Sequence, residues 1–156
     1  MIQTQKIELT SDEFFYLLVT IYIKKRWMLL IWVVLLIFFL LLTQNIGTVE
    51  YLLILAILAF HAILLIQYWI YSHSKANQVY LLSRYFEIDT HQIVERIEDG
   101  STTTMKTEQF IKVMKTGKCY LLFVAKNEYV YLPFDAFRCD SDREWFENEI
   151  VKKIKN

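Results

Sequence analysis

Two long uncharged runs constrain this chain more than any other feature. Trp27 to Val49 is 23 residues without a formal charge, and Tyr51 to Ser72 is another 22, with Glu50 alone between them. About 20 apolar residues in helical form, each rising ~1.5 Å, cross a ~30 Å hydrocarbon core. Each run contains such a stretch, so the pair reads as a transmembrane hairpin of two helices. The 55% hydrophobic content of the 156 residues comes from residues 27–71, and the remainder has the charge density of an ordinary soluble domain. The first run lies behind Glu8, Asp12 and Glu13, lacks a small-residue cleavage site and is followed at once by a second span. It reads as an anchor, not a cleavable signal.

Charge distribution sets the expected orientation. Lys24, Lys25 and Arg26 directly precede the first run, and His73, Lys75 and Arg84 follow the second, whereas Thr43–Glu50 between them has no basic residue. Basic residues near a span stay on the cytoplasmic side. Both termini are therefore expected in the cytoplasm, with a short outer loop containing Gly47. Trp27, Tyr68, Trp69 and Tyr71 suit the inner interface and Tyr51 the outer one.

Polar side chains within spans are candidate sites. His61 lies near mid-bilayer in the second helix and Gln67 near its inner end. Six residues apart, they do not share a helix face, and the first helix offers no polar partner between Met28 and Leu42 except the indole of Trp32. Both are read as intramembrane polar contacts, with a neutral His61 bonded to a neighbouring helix, in a homodimer for instance. Transport by two helices is not expected.

The flanks divide the chain into residues 1–26, the hairpin at 27–72 and a cytosolic domain at 75–156. Ile2–Leu9 partly alternates like a strand, and Thr10-Ser-Asp-Glu13 reads as a capped helix start. The apolar face at Phe14, Leu17, Leu18 and Ile21 suits a helix lying on the membrane or one docking on the C-terminal domain. Lys75–Arg84 extends the second helix in this reading. Strands are expected at Tyr85–Asp89, Gln92–Ile97, Thr102–Thr107, Phe110–Met114, Cys119–Ala125 and Tyr129–Leu132, with turns at Asp99-Gly100, Thr116-Gly117 and Lys126-Asn127. Pro133 ends the last strand. Ser141-x-x-Glu144 reads as a capping box, and Phe146, Ile150 and Ile154 recur every four residues in a final amphipathic helix ending in Lys152, Lys153 and Lys155. The expected fold is thus a membrane α-helical hairpin plus an α+β domain: an antiparallel, pleckstrin-homology-like barrel or sheet closed by a C-terminal helix.

Two spans, cytoplasmic ends and a Leu132-Pro-Phe-Asp-Ala-Phe137 step before a final helix, preceded by Lys118–Ala125 and Tyr129-Val-Tyr131, resemble the YcxB-like family of bacterial membrane proteins. The resemblance covers essentially the whole chain. It implies architecture and a bacterial plasma-membrane setting, and brings no reaction or catalytic residue.

Chemistry is sparse. No G-x-S-x-G, phosphate-binding glycine loop or H-E-x-x-H occurs, and three glycines leave little for a glycine-built cradle. His61, His73 and His91 do not cluster, so no zinc site is expected, and Cys119 and Cys139 are expected as free thiols. Carboxylate pairs Glu95/Glu98 and Glu144/Glu147 read as solvated faces. No catalytic residue, cofactor or metal is expected, and no enzyme activity. From Lys75 onward 13 Lys+Arg balance 13 Asp+Glu, which disfavours nucleic acid as a partner. Lys106, Lys112, Lys115 and Lys118 fall within thirteen residues and are the candidate contacts for anionic lipid or a protein partner; their alternative role is to guard an exposed edge strand. Three roles follow: a non-enzymatic membrane scaffold whose cytosolic domain binds a protein or inner-leaflet lipid, an immunity-type protein guarding the membrane against a toxin or bacteriocin, or an accessory subunit of a transporter or secretion complex.

Overall fold

The computed structural model describes residues 1–42, 47–126 and 128–154. The chain divides into two compact units: Leu9–Leu81, and Met1–Glu8 together with Leu82–Asn156.

In the helical unit, the expected helix start at Thr10–Glu13 is present, and Thr10 and Glu13 form a capping box there. The Glu13 amide donates to Thr10 Oγ1 (3.2 Å) and the Thr10 amide to Glu13 Oε2 (2.8 Å). Helix α1 (Ser11–Leu42) breaks at Arg26, where φ is −122° and ψ 18°, at the last of three consecutive cations. Phe14, Leu17 and Ile21 are buried. The Phe14 ring centroid lies 6.0 Å from that of Tyr71 and 5.6 Å from that of Tyr80, and Tyr22 meets Tyr68 at 5.9 Å. The apolar face of α1's first half thus packs on the end of α2 (Thr48–His73) and the segment after it. That segment, Lys75–Leu81, is a 3-10 helix, not the α-helical continuation expected. Ser74 N and the Asn77 amide both donate to Tyr71 O and cap α2, which is what stops it.

Beyond Arg26, half-buried positions on α1 fall at Leu30, Val33, Ile37 and Leu40, and on α2 at Glu50, Ile54, Ile57, His61, Leu64 and Tyr68. Spacings of three and four are those of a two-helix seam. Apart from the buried Ser72, all other side chains described in these stretches are exposed, and both helices are long and apolar enough to cross a membrane. The outer-loop residues Thr43 to Ile46 lie outside the described residues.

The β-rich unit is α+β. Strands β1 (Ile2–Gln3), β2 (Arg84–Ile88), β3 (Gln92–Ile97) and β4 (Thr102–Lys106) form one antiparallel sheet in that order; β5 (Lys112–Lys115), β6 (Cys119–Phe123) and β7 (Tyr129–Pro133) form another. The strands therefore do not close into a barrel: among the described residues, no ladder joins β4 to β5 or β7 to β1. The break after β4 comes from a 3-10 turn at Thr107–Gln109, which also delays the next strand from the expected Phe110 to Lys112. The β3–β4 turn is the expected one, with Gly100 at φ 89°, a conformation that costs glycine least. The expected turn residue Asn127 lies outside the described residues.

The N-terminal segment belongs to this unit, unlike the expected division at residues 26 and 75. Ile2 pairs with Ile88, Ile7 bridges to Arg84, and the buried Thr4 accepts the Phe86 amide on its hydroxyl at 2.8 Å. Gln5 N reaches Ala136 O at 2.7 Å, beyond β7. The whole helical unit is thus inserted between adjacent strands β1 and β2.

Phe86, Ile88, Ile93, Tyr120, Leu122, Leu132, Phe146 and Ile150 anchor the core, and β6 is buried at all five positions, in keeping with its continuous apolar sequence. The last helix starts at Asp140 (α3, Asp140–Phe146), passes through a π-helical turn at Glu147–Val151 and ends in α4 (Lys152–Ile154). Its cap is not the expected Ser141–Glu144 box. The chain turns helical earlier, so Cys139 is the N-cap and Ser141 sits inside the first turn, 2.9 Å from Cys139 Sγ. Lys155 lies outside the described residues.

Candidate functional site

Charge pairing in the β-rich unit separates its cations into two sets. Arg84 meets Glu95 at 2.7 Å, Arg96 meets Glu87 at 2.8 Å, and Lys6 lies between Glu8 and Glu98 at 3.0 and 3.7 Å. Arg143 pairs with Asp140, Lys153 with Glu149, and Arg138 donates to Gln3 at 2.9 Å. Lys115 is bonded to Glu147. The exposed Lys106, Lys112 and Lys118 have no carboxylate partner among the described residues.

The four lysines singled out by the sequence do not form one patch. Lys106 ends β4, Lys112 opens β5, and Lys118 sits in the β5–β6 turn at the far end of that strand. Lys115 is committed elsewhere. Its ammonium and the Tyr120 hydroxyl both donate to Glu147 Oε1, and it stands 5.6 Å from the Tyr120 ring centroid and 5.7 Å from that of Phe134. Arg143 lies 5.6 Å from the same Phe134 ring. The Lys115 hydrogen bond, then that from Tyr120, holds the Glu147 carboxyl below its ordinary range. Burial, then the bond to Glu147, pushes the Tyr120 phenol up. A π turn admits one extra residue per turn, and this one carries Glu147. With Tyr120 fully buried, the cluster ties the last helix to β5 and β6.

Two carboxylate expectations are therefore corrected. Glu147 is partly exposed yet committed to Lys115 and Tyr120, and Glu95, with its side chain 13% exposed, pairs with Arg84 on the core side of the sheet. In both, the partner sits on a different element, where helix or strand periodicity cannot reveal it.

Ile111 was not singled out by the sequence. Apart from Met1, it is the one exposed large apolar side chain among the described residues of this unit, at 65%. A lone isoleucine between lysines was the available signal. In a chain this apolar it carried no contrast.

In the helical unit, His61 lies on the seam with α1 and Gln67 faces outward. His61 Nδ1 is 2.9 Å from Ile57 O, one turn back in its own helix, while Nε2 is enclosed without a hydrogen-bond partner. The expected bond to a neighbouring helix is absent among the described residues. An unmet polar atom costs stability, so His61→Leu is expected to stabilise the hairpin by about 1 kcal/mol. SDS-induced unfolding of the purified chain checks this; an earlier unfolding midpoint would mean that Nε2 has a partner in the assembled protein.

Cys119 and Cys139 are free thiols, buried and exposed respectively. No group of three His, Cys, Asp or Glu among the described residues is arranged to hold a metal. A shallow cleft lined by Thr4, Lys6, Arg84, Glu98 and Arg138 has its charges already paired or bonded. No family model, curated protein or solved structure matches the chain.

Proposed function

We propose that this protein is a non-enzymatic scaffold of the bacterial plasma membrane, anchored by its two apolar helices, whose β-rich domain engages inner-leaflet lipid or a protein partner. The observation that carries the reading is the charge pairing: the domain pairs Lys6, Arg84, Arg96, Lys115, Arg143 and Lys153 with its own carboxylates and leaves Lys106, Lys112 and Lys118 without a carboxylate partner among the described residues. Unpaired surface ammonium groups attract anionic headgroups at ~1 kcal/mol each. A cytoplasmic position for both ends draws support from the strand ladder. Ile2 and Ile7 pair with residues that follow the second helix, which supports a shared side of the bilayer for both flanks. The basic residues at 24–26 and 75 favour the cytoplasm as that side. Four strands, then three, then a C-terminal helix suit a pleckstrin-like domain, in keeping with the YcxB-like resemblance of the sequence.

Crosslinking in the native host, mild detergent extraction and mass spectrometry of what travels with the chain test the reading. Enriched anionic lipid or a reproducible cytosolic partner is expected. A partner captured through the outer loop, such as a toxin or a channel subunit, would overturn it.

A further inference from the structure

We infer that the connection between β4 and β5 is a membrane-contact tip, with Ile111 as its inserting residue and Lys106 and Lys112 as its headgroup ligands. The inference rests on the lipid arm of the function proposed above and narrows it to one site and one chemistry, an anionic lipid surface.

The connection is held firmly. Thr107 N donates to His91 O at 2.9 Å, and Lys106 N to Gln109 Oε1 at 2.9 Å. Phe110 is buried in the core, and Ile111 N donates to Phe123 O at 2.8 Å. With its backbone fixed on both sides, the segment still presents Ile111 to the outside at 65% exposure. A flexible loop would be free to fold such a side chain inward; this one is not. Ile111 is therefore displayed, and a displayed aliphatic group is stabilised by an apolar phase.

The flanking charges name the phase. Lys106 and Lys112 bracket the isoleucine, both exposed and neither with a carboxylate partner, and Glu108 is the one acid between them. An aliphatic tip between ammonium groups matches the boundary of an anionic bilayer, where acyl chains lie just below phosphate and carboxylate headgroups. The tether to such a surface is the segment Leu9 to Arg26, largely helical, which joins Glu8 to the uncharged run that begins at Trp27. Lys118 does not belong to the tip. β5 runs between them, four residues or ~13 Å of strand.

The test uses the full chain in nanodiscs of phosphatidylcholine, with or without phosphatidylglycerol. A nitroxide is attached at Ile111→Cys in a Cys139→Ser background, since Cys139 is the exposed native thiol. The expected result is that collisions with lipid-soluble oxygen rise over those with an aqueous nickel chelate only when phosphatidylglycerol is present. Lys106→Gln with Lys112→Gln is expected to weaken that contact about 30-fold, and a label at Lys118→Cys is expected to stay aqueous in both lipids. A label at 111 that is equally aqueous in both lipids overturns the tip. Native mass spectrometry of anionic lipid retained by the unaltered chain separates the failures. Retention with an aqueous label leaves the lipid reading standing at another site, whereas loss of both removes it too.

Discussion

Deleting Met1–Glu8 is expected to unfold the β-rich unit while leaving both apolar helices inserted. Among the described residues, these eight supply the neighbour of β2 on the side away from β3: Ile2 and Gln3 pair with Ile88 and Glu87, and Ile7 with Arg84. They also place Ile7 in the core and give Phe86 N its acceptor on Thr4. Truncating one buried isoleucine, as in Ile7→Ala, costs about 3 kcal/mol. Removing the strand adds exposed core and lost backbone bonds, a total comparable with the roughly 5–15 kcal/mol margin of a whole domain. Ile7→Asp is the sharper variant, since it keeps chain length and forces a carboxylate into the core. Amide exchange of the full chain in nanodiscs is the measurement. Protection at Phe86, Ile88 and Ile93 should fall to that of an open chain, while amides in α2 keep theirs. Unchanged protection in the sheet would mean that β1 is dispensable.

Glu147→Gln is expected to destabilise the same unit by about 2 kcal/mol, and Glu147→Ala by more. The carboxylate accepts from both Lys115 and Tyr120, and Tyr120 is fully buried, so removing its acceptor leaves a hydroxyl without water to replace it. Glutamine keeps one carbonyl acceptor and loses the charge; alanine loses both. The pH dependence has two limbs. Glu147 titrates below its ordinary 4.5 when folded, so its contribution is complete above about that pH and is lost as pH falls through the lower folded value. Tyr120 titrates above its ordinary 10.0 when folded, so the phenol's contribution is complete below that pH and declines only on the alkaline side. Glu147→Gln should therefore flatten the acid limb of a thermal-unfolding profile, and Tyr120→Phe the alkaline one. An acid limb unaltered in Glu147→Gln would assign the acid sensitivity to other groups.

Much of this architecture was legible in the chain because it rests on contiguous residues. The two apolar runs, the all-apolar β6, the Asp99-Gly100 turn and the Thr10–Glu13 cap each depend on neighbours a few positions apart. Transfer from water, strand alternation and turn geometry act at that range. Helix ends were less legible. The Ser141–Glu144 pattern was present, yet Cys139 took the cap, because the Cys119–Pro133 ladder and the following 3-10 turn at Phe134–Ala136 set where the chain enters the helix.

The candidate site was legible as a run of lysines and no further. Which of them is unpaired depended on Glu147, 32 residues from Lys115 in sequence, and the exposure of Ile111 depended on Phe110 being the residue that entered the core.

The sequence by itself determined that two helices are apolar enough for a membrane and that a strand-rich, helix-ended segment follows them. Composition and short-range periodicity suffice for that. Only the tertiary structure decided that the first residues complete the sheet, through a Phe86–Thr4 bond spanning 82 residues, and that the seven strands form two sheets instead of a barrel. The physical reason is that such a contact is chosen by edge pairing and burial summed over the whole core. Several partners for β2 satisfy the local pattern equally, and only packing selects among them.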